Sequence, residues 1–299
     1  MFAFGCSIIM PDVYERCARP GIERARELDS AILAHAASGS VARSFNLLLD
    51  RAAAIDGLEA LVLLHEDAEI LDSDFCFRVR DVLADPEVAV IGSVGSRGAS
   101  GIAWWDGEIS WNSAPYHYGE SGGGDLAWGQ SSEQTPGEVD TVYGVMMILS
   151  PWAVRNLRFD ESIGMLHGYD FDLCRQAKVT GKKVVTADLR LAHHHSLDLV
   201  TQIEIWVAAH MRAANAWSDD PVGGDAPDEA WKERARRAEA SAAAARLLAA
   251  SKLLQADATA RSFERELEFV RNTRSWRMTE SLRRGNSFVR AARGRRKRV

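Results

Sequence analysis

The segment LVLLHEDAEIL (61–71) carries one histidine and three acidic residues directly after an apolar run. The run is typical of a buried β-strand, so His65, Glu66, Asp67 and Glu69 fall where that strand ends. In open α/β sheets, ligands bind at the carboxyl ends of strands. Asp67 with His65 two residues earlier could hold a divalent cation against a diphosphate, and the histidine makes Mn²⁺ as suitable as Mg²⁺. A solvated loop after a strand is the alternative interpretation.

A second acidic group lies in HGYDFDLCRQAKVTG (167–181), where Asp170 and Asp172 fall at the start of a predicted helix. Acidic residues at this position often serve only as helix caps and dipole partners. A carboxylate that faces a cleft could instead accept a proton from an attacking hydroxyl as a general base. The sequence alone leaves both interpretations open.

Three consecutive histidines occur in LRLAHHHS (189–196) after a predicted strand. Strand alternation places His193 and His195 on one face and His194 on the other, so at most two of them could share a metal ion. The tryptophans of the Gly-rich region between Ser93 and Gly137 offer apolar platforms for sugar rings, although packing under loops would explain each of them equally well. These tryptophans are Trp104, Trp105, Trp111 and Trp128.

Short apolar strands alternate with helix-length segments up to about residue 197, which predicts a mainly parallel α/β sheet. The region between Ser93 and Gly137 reads as functional loops. The predicted strands are Cys6–Met10, Ala31–Ala36, Leu61–Leu64, Val88–Ile91, Val139–Leu149, Lys183–Ala187 and Arg190–His195, and Tyr169–Thr180 is a predicted helix.

Composition changes after the sheet. Residues 1–217 read as one α/β domain, and residues 218–228, rich in Pro, Gly and Asp, as a linker. Residues 229–272 lack Gly and Pro and predict a long helix that could form a coiled coil and a homo-oligomer. A basic tail follows at 273–299.

The chain carries a net charge of −6, yet residues 271–299 hold eleven Arg or Lys residues against Glu280 alone. Such a tail could lie on an anionic membrane, which would suit a lipid-linked acceptor, or it could simply be solvated. Because no recognised nucleic-acid module accompanies the charge, a nucleic-acid partner is not expected. Four widely spaced cysteines, with no predicted signal peptide or membrane span, favour a reducing cytoplasm, including the inner face of a membrane.

Taken in order, several segments resemble the bacterial glycosyltransferase-like group within glycosyltransferase family 2, over about residues 4–197. The resemblance implies a GT-A fold, a nucleotide-sugar donor, a divalent cation and an inverting mechanism. It rests on CSIIMPDVYERC, SFNLLLDRA, LVLLHEDAEI, DPEVAVIGSVGSRG with WWDG, VDTVYGVMMILS, RFDESIGMLHGYDFDLCRQAKVTGKKVV and LAHHHS.

The resemblance also implies roles for individual residues. The acidic strand-end motif, here Glu66 and Asp67, would bind metal and donor diphosphate, with His65 standing where many members have Asp. Asp170 matches the catalytic base of the family's ED motif, and Tyr169 replaces the usual Glu.

Further residues follow from the same resemblance. Asp172 would be a supporting or acceptor-binding residue. Trp104 and Trp105 are candidates to face the acceptor because of their aromatic faces and not because of the resemblance. His195 is the better match to a histidine that completes the metal site in similar enzymes. Asp12, after the first strand, would face the nucleotide base. The ending TRSWRMTESLR (273–283) also looks like the ending of many bacterial glycosyltransferases.

The sequence therefore predicts a glycosyltransferase that acts on a saccharide or lipid-linked acceptor in polysaccharide or glycan synthesis. Two rival interpretations differ in class. The first is a non-catalytic nucleotide-sugar or sugar-binding scaffold of such a pathway, which the unusual His65 and Tyr169 favour. The second is a metal-dependent hydrolase or nucleotidyltransferase, which would need further His and Asp motifs at other strand ends.

Overall fold

The structure is a computed structural model that describes residues 1–37, 39–99, 101–111, 116–118, 123–126, 137–194, 203–217 and 227–279. The strands are β1 (Phe2–Ile8), β2 (Ala31–Ala36), β3 (Ala60–His65), β4 (Ala68–Ile70), β5 (Val88–Gly92), β6 (Val94–Arg97), β7 (Glu108–Trp111), β8 (Tyr116–Tyr118), β9 (Gly123–Leu126), β10 (Gly137–Glu138), β11 (Thr141–Val142), β12 (Met146–Leu149), β13 (Lys183–Thr186) and β14 (Leu191–His193). The helices are α1 (Pro11–Arg16), α2 (Ala18–Ala25), α3 (Val41–Ala53), α4 (Phe75–Leu83), α5 (Pro151–Asn156), α6 (Tyr169–Val179), α7 (Ile203–Ala216), α8 (Pro227–Asn272) and α9 (Arg274–Met278), and Trp104–Asp106 form a short 3-10 helix.

Within these described residues, seven strands form the main sheet in the order β10-β13-β5-β12-β3-β1-β2. Strands β1, β2 and β3 run parallel to one another, as do β5 and β13, whereas β12 and β10 are antiparallel to their neighbours. The predicted α/β class with a mainly parallel sheet is therefore confirmed. All but the last residue of β3 are buried, as expected for a central strand covered on both faces.

Helices α3, α5 and α6 contribute to one hydrophobic core with the sheet. Helix α3 begins at the cap residue Ser40, whose hydroxyl accepts the Arg43 N–H at 3.1 Å. Its apolar residues at 3.6-residue spacing, such as Phe45 and Leu49, are buried in that core. Each fully buried side chain of this size contributes roughly 1.5–3 kcal/mol relative to its exposed state.

Two predicted strands differ most from the bounds that the structure shows. The first strand covers Phe2–Ile8 instead of Cys6–Met10, because the N–H groups of Ile9 and Met10 donate to Glu66 and helix α1 begins at Pro11. The predicted strand Val139–Leu149 is divided into β11 and β12 by a turn around Gly144. This division brings the turn to the sheet edge at which β3 ends, because β12 is antiparallel to β3.

The region from 93 to 137, predicted as loops, contains regular structure in its described parts. Strands β11, β6 and β7 form a three-stranded sheet, and β8 pairs with β9. The prediction that this region consists of loops was wrong for these strands. Strand β6 pairs with residues 141–142, which is a long-range contact, while β7 pairs with β6 and β8 with β9. Trp128 lies outside the described residues.

The C-terminal extension is helical, as predicted. Residues 1–252 form one compact unit, so the first half of α8 belongs to it, and residues 253–299 form a second. Ala244 and Leu247 of α8 are buried within the first unit, and Arg246 forms an ion pair with Asp106. The predicted domain boundaries at 218–228 and 273 remain predictions. Residues 218–226 and 280–299 lie outside the described residues, whereas Pro227 and Asp228 of the predicted linker belong to α8, which ends at Asn272. None of the helices in the described part of the chain is both long and apolar enough to cross a lipid bilayer.

Candidate functional site

A cavity of about 300 Å³ opens at the sheet edge where β1 and β3 end. The turn between β11 and β12 and the beginning of α6 meet at the same edge, so residues distant in the sequence share one wall. The polar residues that line it are Ser7, His65, Glu66, Asp67, His167, Asp170 and His193.

Three of these residues form a group suited to a metal ion. One ligand atom from each of His65, Asp67 and His193 lies within 4.8 Å of the others. The His193 Nε2 atom is 3.3 Å from Asp67 Oδ1, and the side chains of His193 and Asp67 are only 4% and 13% exposed. Two imidazole nitrogens and one carboxylate oxygen suit a divalent transition metal such as Mn²⁺ better than Mg²⁺, which prefers oxygen ligands alone. The donor set therefore fits a divalent cation.

The pairing of β4 with β14 explains how the group assembles. The two short strands are antiparallel, and His193 lies opposite Ala68, next to Asp67. The His194 N–H donates to the Asp67 carbonyl at 2.8 Å, while the His194 ring contacts Glu69 at 2.8 Å. The sequence analysis preferred His195 over His193 as a metal ligand. His195 lies outside the described part of the chain, whereas His193 lies beside Asp67.

Tyr169 connects His65 to the turn between β11 and β12. Its hydroxyl donates to the Gly144 carbonyl at 3.0 Å and lies 2.6 Å from His65 Nε2. A tyrosine hydroxyl has one proton, and a carbonyl can only accept. The hydroxyl oxygen is therefore the acceptor toward His65, whose Nε2 carries the proton. This tautomer leaves the lone pair on His65 Nδ1.

Asp170 lines the cavity at the first turn of α6. Its Oδ2 atom accepts the Gly144 N–H and its Oδ1 atom the Phe171 N–H, both at 2.9 Å. Burial raises the pKa of this carboxyl from 3.8 to about 6, although the two hydrogen bonds lower it. A carboxylate with such a pKa can take up a proton near neutral pH, as a general base requires.

Gly144 holds both residues of the Tyr169-Asp170 pair through its own peptide groups. A Cβ atom at Gly144 would lie 2.4 Å from the Tyr169 hydroxyl oxygen, so a larger residue cannot take this position without displacing the ring. The sequence reasoning did not single out Gly144. Its location inside a predicted strand was the available signal, because an isolated glycine there often marks a close approach of two segments.

Glu66 also lines the cavity, but its carboxylate is occupied by the backbone. It accepts the N–H groups of Ile9 and Met10 at 2.6 and 2.9 Å, which fixes the segment that leads from β1 into α1. Because Ile9 and Met10 contribute to the cavity wall, Glu66 shapes the site through them.

Two predicted site residues lie outside the cavity wall. Asp12 is exposed on the first turn of α1. Asp172 is only 2% exposed and accepts hydrogen bonds from Trp217 Nε1, Gln176 Nε2 and the Asp160 N–H. These hydrogen bonds connect α6 to neighbouring segments, so Asp172 has a structural role.

Aromatic rings also line the cavity. Trp104 and Trp105, the predicted acceptor platform, are among them, together with Tyr143 and Trp206. The ring centroids of Trp104 and Tyr143 are 5.1 Å apart, and those of Trp105 and Trp206 are 5.4 Å apart. Sequence reasoning missed Trp206 because it belongs to the apolar face of a helix, a pattern that usually indicates core packing. The side chain of Trp111 is not among those described.

Comparison with known proteins adds a family match. Residues 8–220 match the family described as "Glycosyltransferase like family". The protein "Streptomycin biosynthesis protein StrF" of Streptomyces griseus is 28% identical over 199 residues, which cover 66% of this chain and 67% of that protein.

Solved structures with a similar arrangement have low sequence identity to this chain. The mannosyltransferase PcManGT from Pyrobaculum calidifontis, in complex with GDP-Man and Mn²⁺, is 14% identical with a TM-score of 0.46, covering 94% of this chain and 82% of that one. The structure of GalNAc-T7 with UDP, GalNAc and Mn²⁺ is 10% identical with a TM-score of 0.49, covering 79% of this chain and 54% of that one.

Proposed function

Because this chain belongs to the Glycosyltransferase like family and is a glycosyltransferase, we propose that its cavity transfers a sugar from a nucleoside diphosphate donor to an acceptor hydroxyl. The observation that carries this proposal is the presence, in one cavity, of a metal-binding group and a carboxylate with a raised pKa. The GT-A class expected from the resemblance agrees with the mixed sheet and its helical extension.

The donor diphosphate is assigned to the side of the cavity that holds His65, Asp67 and His193. A divalent cation held there would neutralise the negative charge that develops on the leaving nucleoside diphosphate. We assign Mn²⁺ because two of the three ligands are imidazoles. The complexes of PcManGT and GalNAc-T7 with nucleotides and Mn²⁺ supply the same pairing of donor and cation as an expectation for this site.

Asp170 is assigned as the general base. It takes the proton of the acceptor hydroxyl as the hydroxyl oxygen bonds to the anomeric carbon, and the bond from that carbon to the diphosphate breaks in the same displacement. The configuration at the anomeric carbon inverts in such a single displacement. Its hydrogen bonds from the Gly144 and Phe171 N–H groups orient the carboxylate, and each carboxylate oxygen has a second lone pair that can accept a hydrogen bond from a hydroxyl.

The acceptor is assigned to the aromatic wall. Trp104, Trp105 and Trp206 offer flat apolar faces of the kind that pack against sugar rings. A saccharide or a lipid-linked saccharide fits this wall, and either would place the reaction in glycan or polysaccharide synthesis. Because the relative StrF is named for the biosynthesis of a small molecule, small saccharide acceptors belong in the same screen.

The basic residues at the C-terminus support a further part of the proposal, contact with the inner face of an anionic membrane. Eleven Arg or Lys residues in 271–299 would each contribute on the order of 1 kcal/mol near such a surface. Co-sedimentation with vesicles of phosphatidylglycerol, compared with vesicles of phosphatidylcholine, tests this contact. Equal sedimentation with both would remove the membrane from the proposal.

Calorimetric titration of UDP, GDP and dTDP, with and without Mn²⁺, tests the donor site. We expect one nucleotide to bind in a Mn²⁺-dependent way and the binding to be lost in Asp67→Ala. The control is Asp50→Ala, which removes an exposed carboxylate that pairs with Arg158 far from the cavity lining.

Two results would contradict the proposal. Absence of nucleotide binding under every condition would favour a scaffold that does not use a nucleotide-sugar. Equal nucleotide affinity of the wild type and Asp67→Ala would show that the donor diphosphate does not bind at the metal-binding group.

A further inference from the structure

The second half of α8 carries an apolar stripe that the described residues leave exposed. Leu253, Phe263, Leu267 and Val270 are 72%, 65%, 48% and 43% exposed. The stripe residues follow one another at alternating spacings of three and four, which is the heptad pattern of a helix that pairs with another helix. They are Leu253, Ala256, Ala260, Phe263, Leu267 and Val270.

This exposed stripe differs from the buried face of the same helix. In the first half of α8, Ala240, Ala244 and Leu247 are buried within the compact unit that ends at Lys252. The heptad pattern lies in the second unit, of which Leu253 is the first residue.

We propose that this stripe pairs with the same stripe of a second copy of the chain, with the two helices antiparallel. In that arrangement Leu253 faces Val270 of the partner subunit, Ala256 faces Leu267 of the partner subunit, and Ala260 faces Phe263 of the partner subunit. The layers at Ala256 and Ala260 then each combine a small residue with a large one, and the end layers combine Leu with Val. This proposal is independent of the proposed function.

Packing decides the orientation. A parallel pair in register would place Ala256 and Ala260 against their own counterparts and Phe263 against Phe263 of the partner subunit. Two core layers made only of alanine side chains would then lie next to one core layer with two phenylalanine rings. Well-packed cores alternate large and small side chains across facing positions, and voids in a core are more costly than exposed ion pairs are favourable.

The charges beside the stripe fit a second copy. In the antiparallel pair, Lys252 meets Glu266 of the partner subunit and Asp257 meets Arg271 of the partner subunit, each twice by symmetry. Glu264 meets its own counterpart, which is a single unfavourable contact between exposed groups. In the antiparallel pair, most of these charges lie opposite a residue of the other sign on the partner helix. The stripe with its flanking charges is therefore complementary to a second copy of itself, which favours a second copy over a lipid surface.

Sedimentation velocity of the full chain tests the pairing. We expect a dimer of two 32.9 kDa chains for the wild type and a monomer for the double variant Phe263→Glu/Leu267→Glu. Phe269→Glu is the matched control, because Phe269 is 75% exposed on another side of the same helix. A monomeric wild type, or a double variant that remains dimeric, would overturn the proposal, as would a Phe269→Glu variant that dissociates equally.

Disulfide formation tests the orientation. A 1:1 mixture of Ala256→Cys and Leu267→Cys chains should form a linked dimer, whereas Ala256→Cys alone should not. In the antiparallel pair the two copies of residue 256 lie about 16 Å apart along the helix axis, which is too far for a disulfide. The four native cysteines are buried and do not compete. Linkage of Ala256→Cys alone would overturn the antiparallel arrangement.

Discussion

The ring of His65 lies 2.6 Å from the hydroxyl of Tyr169. These are the two positions at which the chain departs from the residues expected by resemblance, since His65 stands where many members have Asp and Tyr169 replaces Glu. The two unusual residues contact each other directly. We therefore expect the two departures to be coupled, with Tyr169 holding His65 in the tautomer that carries its proton on Nε2.

Tyr169→Phe tests this coupling. The variant keeps the ring but removes the hydroxyl that accepts a hydrogen bond from His65 Nε2 and donates one to the Gly144 carbonyl. Because groups that orient a metal-binding histidine contribute to metal affinity, we expect Mn²⁺ to bind roughly 10- to 100-fold more weakly. Calorimetric titration with Mn²⁺ measures the affinity.

The tautomer of His65 can be followed in the same pair of proteins by ¹⁵N NMR of the imidazole nitrogens without metal. We expect the wild type to hold the proton on Nε2 and the variant to show a mixture. Tyr14→Phe, at a buried tyrosine outside the cavity wall, serves as the control. Unchanged Mn²⁺ affinity and an unchanged tautomer in Tyr169→Phe would refute the coupling.

Asp170→Asn should abolish transfer while nucleotide binding is retained. Loss of a general base lowers kcat by roughly 10²- to 10⁴-fold, whereas the donor diphosphate is assigned to His65, Asp67 and His193. In the wild type, kcat should fall as the pH drops below about 6, where the carboxylate takes up its proton. Asp188→Asn, which changes an exposed carboxylate paired with Arg78, should retain full activity. A kcat that does not fall below about pH 6 would show that another group is the general base.

The raised pKa of Asp170 also predicts how stability changes with pH. The folded protein binds this proton more tightly than the unfolded chain does, so the stabilisation is fully present below pH 3.8 and is lost as the pH rises through about 6. Asp170→Asn stays neutral throughout. Relative to the wild type, it should therefore gain on the order of 1–3 kcal/mol of unfolding free energy between acidic and neutral pH.

Urea unfolding of both proteins at about pH 4.5 and about pH 7.5 measures this difference. The expected sign is a larger advantage for Asp170→Asn at the higher pH. A difference that does not change with pH would mean that the carboxyl titrates normally in the folded protein.

Glu66→Ala should raise the KM for the donor and leave kcat nearly unchanged. The carboxylate accepts hydrogen bonds from the N–H groups of Ile9 and Met10, and both of these residues line the cavity. Neither of them is assigned a part in the proton transfer to Asp170. Glu66→Gln keeps one acceptor oxygen and should have a smaller effect. Steady-state kinetics with Glu15→Ala, an exposed glutamate on α1, as control compares these variants. A fall in kcat with constant KM would give Glu66 a role in the chemical step.

Local signals explain what could be predicted from the sequence. Strand β2 was predicted with the bounds that the structure shows, because its apolar run is isolated by polar segments on both sides. The apolar run before His65 located the sheet edge for the same reason, and the order of the motifs indicated the family. Asp67 and Asp170 line the cavity, as expected from these motifs.

The remaining parts of the site depend on contacts between distant residues. His193 reaches Asp67 through the antiparallel pairing of β4 with β14, a register that no local pattern reveals. Gly144 acquires its role from two residues that lie 25 and 26 positions later. Trp206 has the spacing of a core residue, and its place in the cavity wall follows only from the packing of α7.

The ion pair between Arg246 of α8 and Asp106 fastens the long helix to the short segment that carries Trp104 and Trp105. A protein cut at the predicted linker would keep the metal-binding group and Asp170 but lose this attachment. If the acceptor binds at the tryptophan segment, as proposed, acceptor preference depends on α8 as well as on the α/β domain. Exchanging it between relatives would then require transplanting α8, at least through Lys252, together with the tryptophan segment.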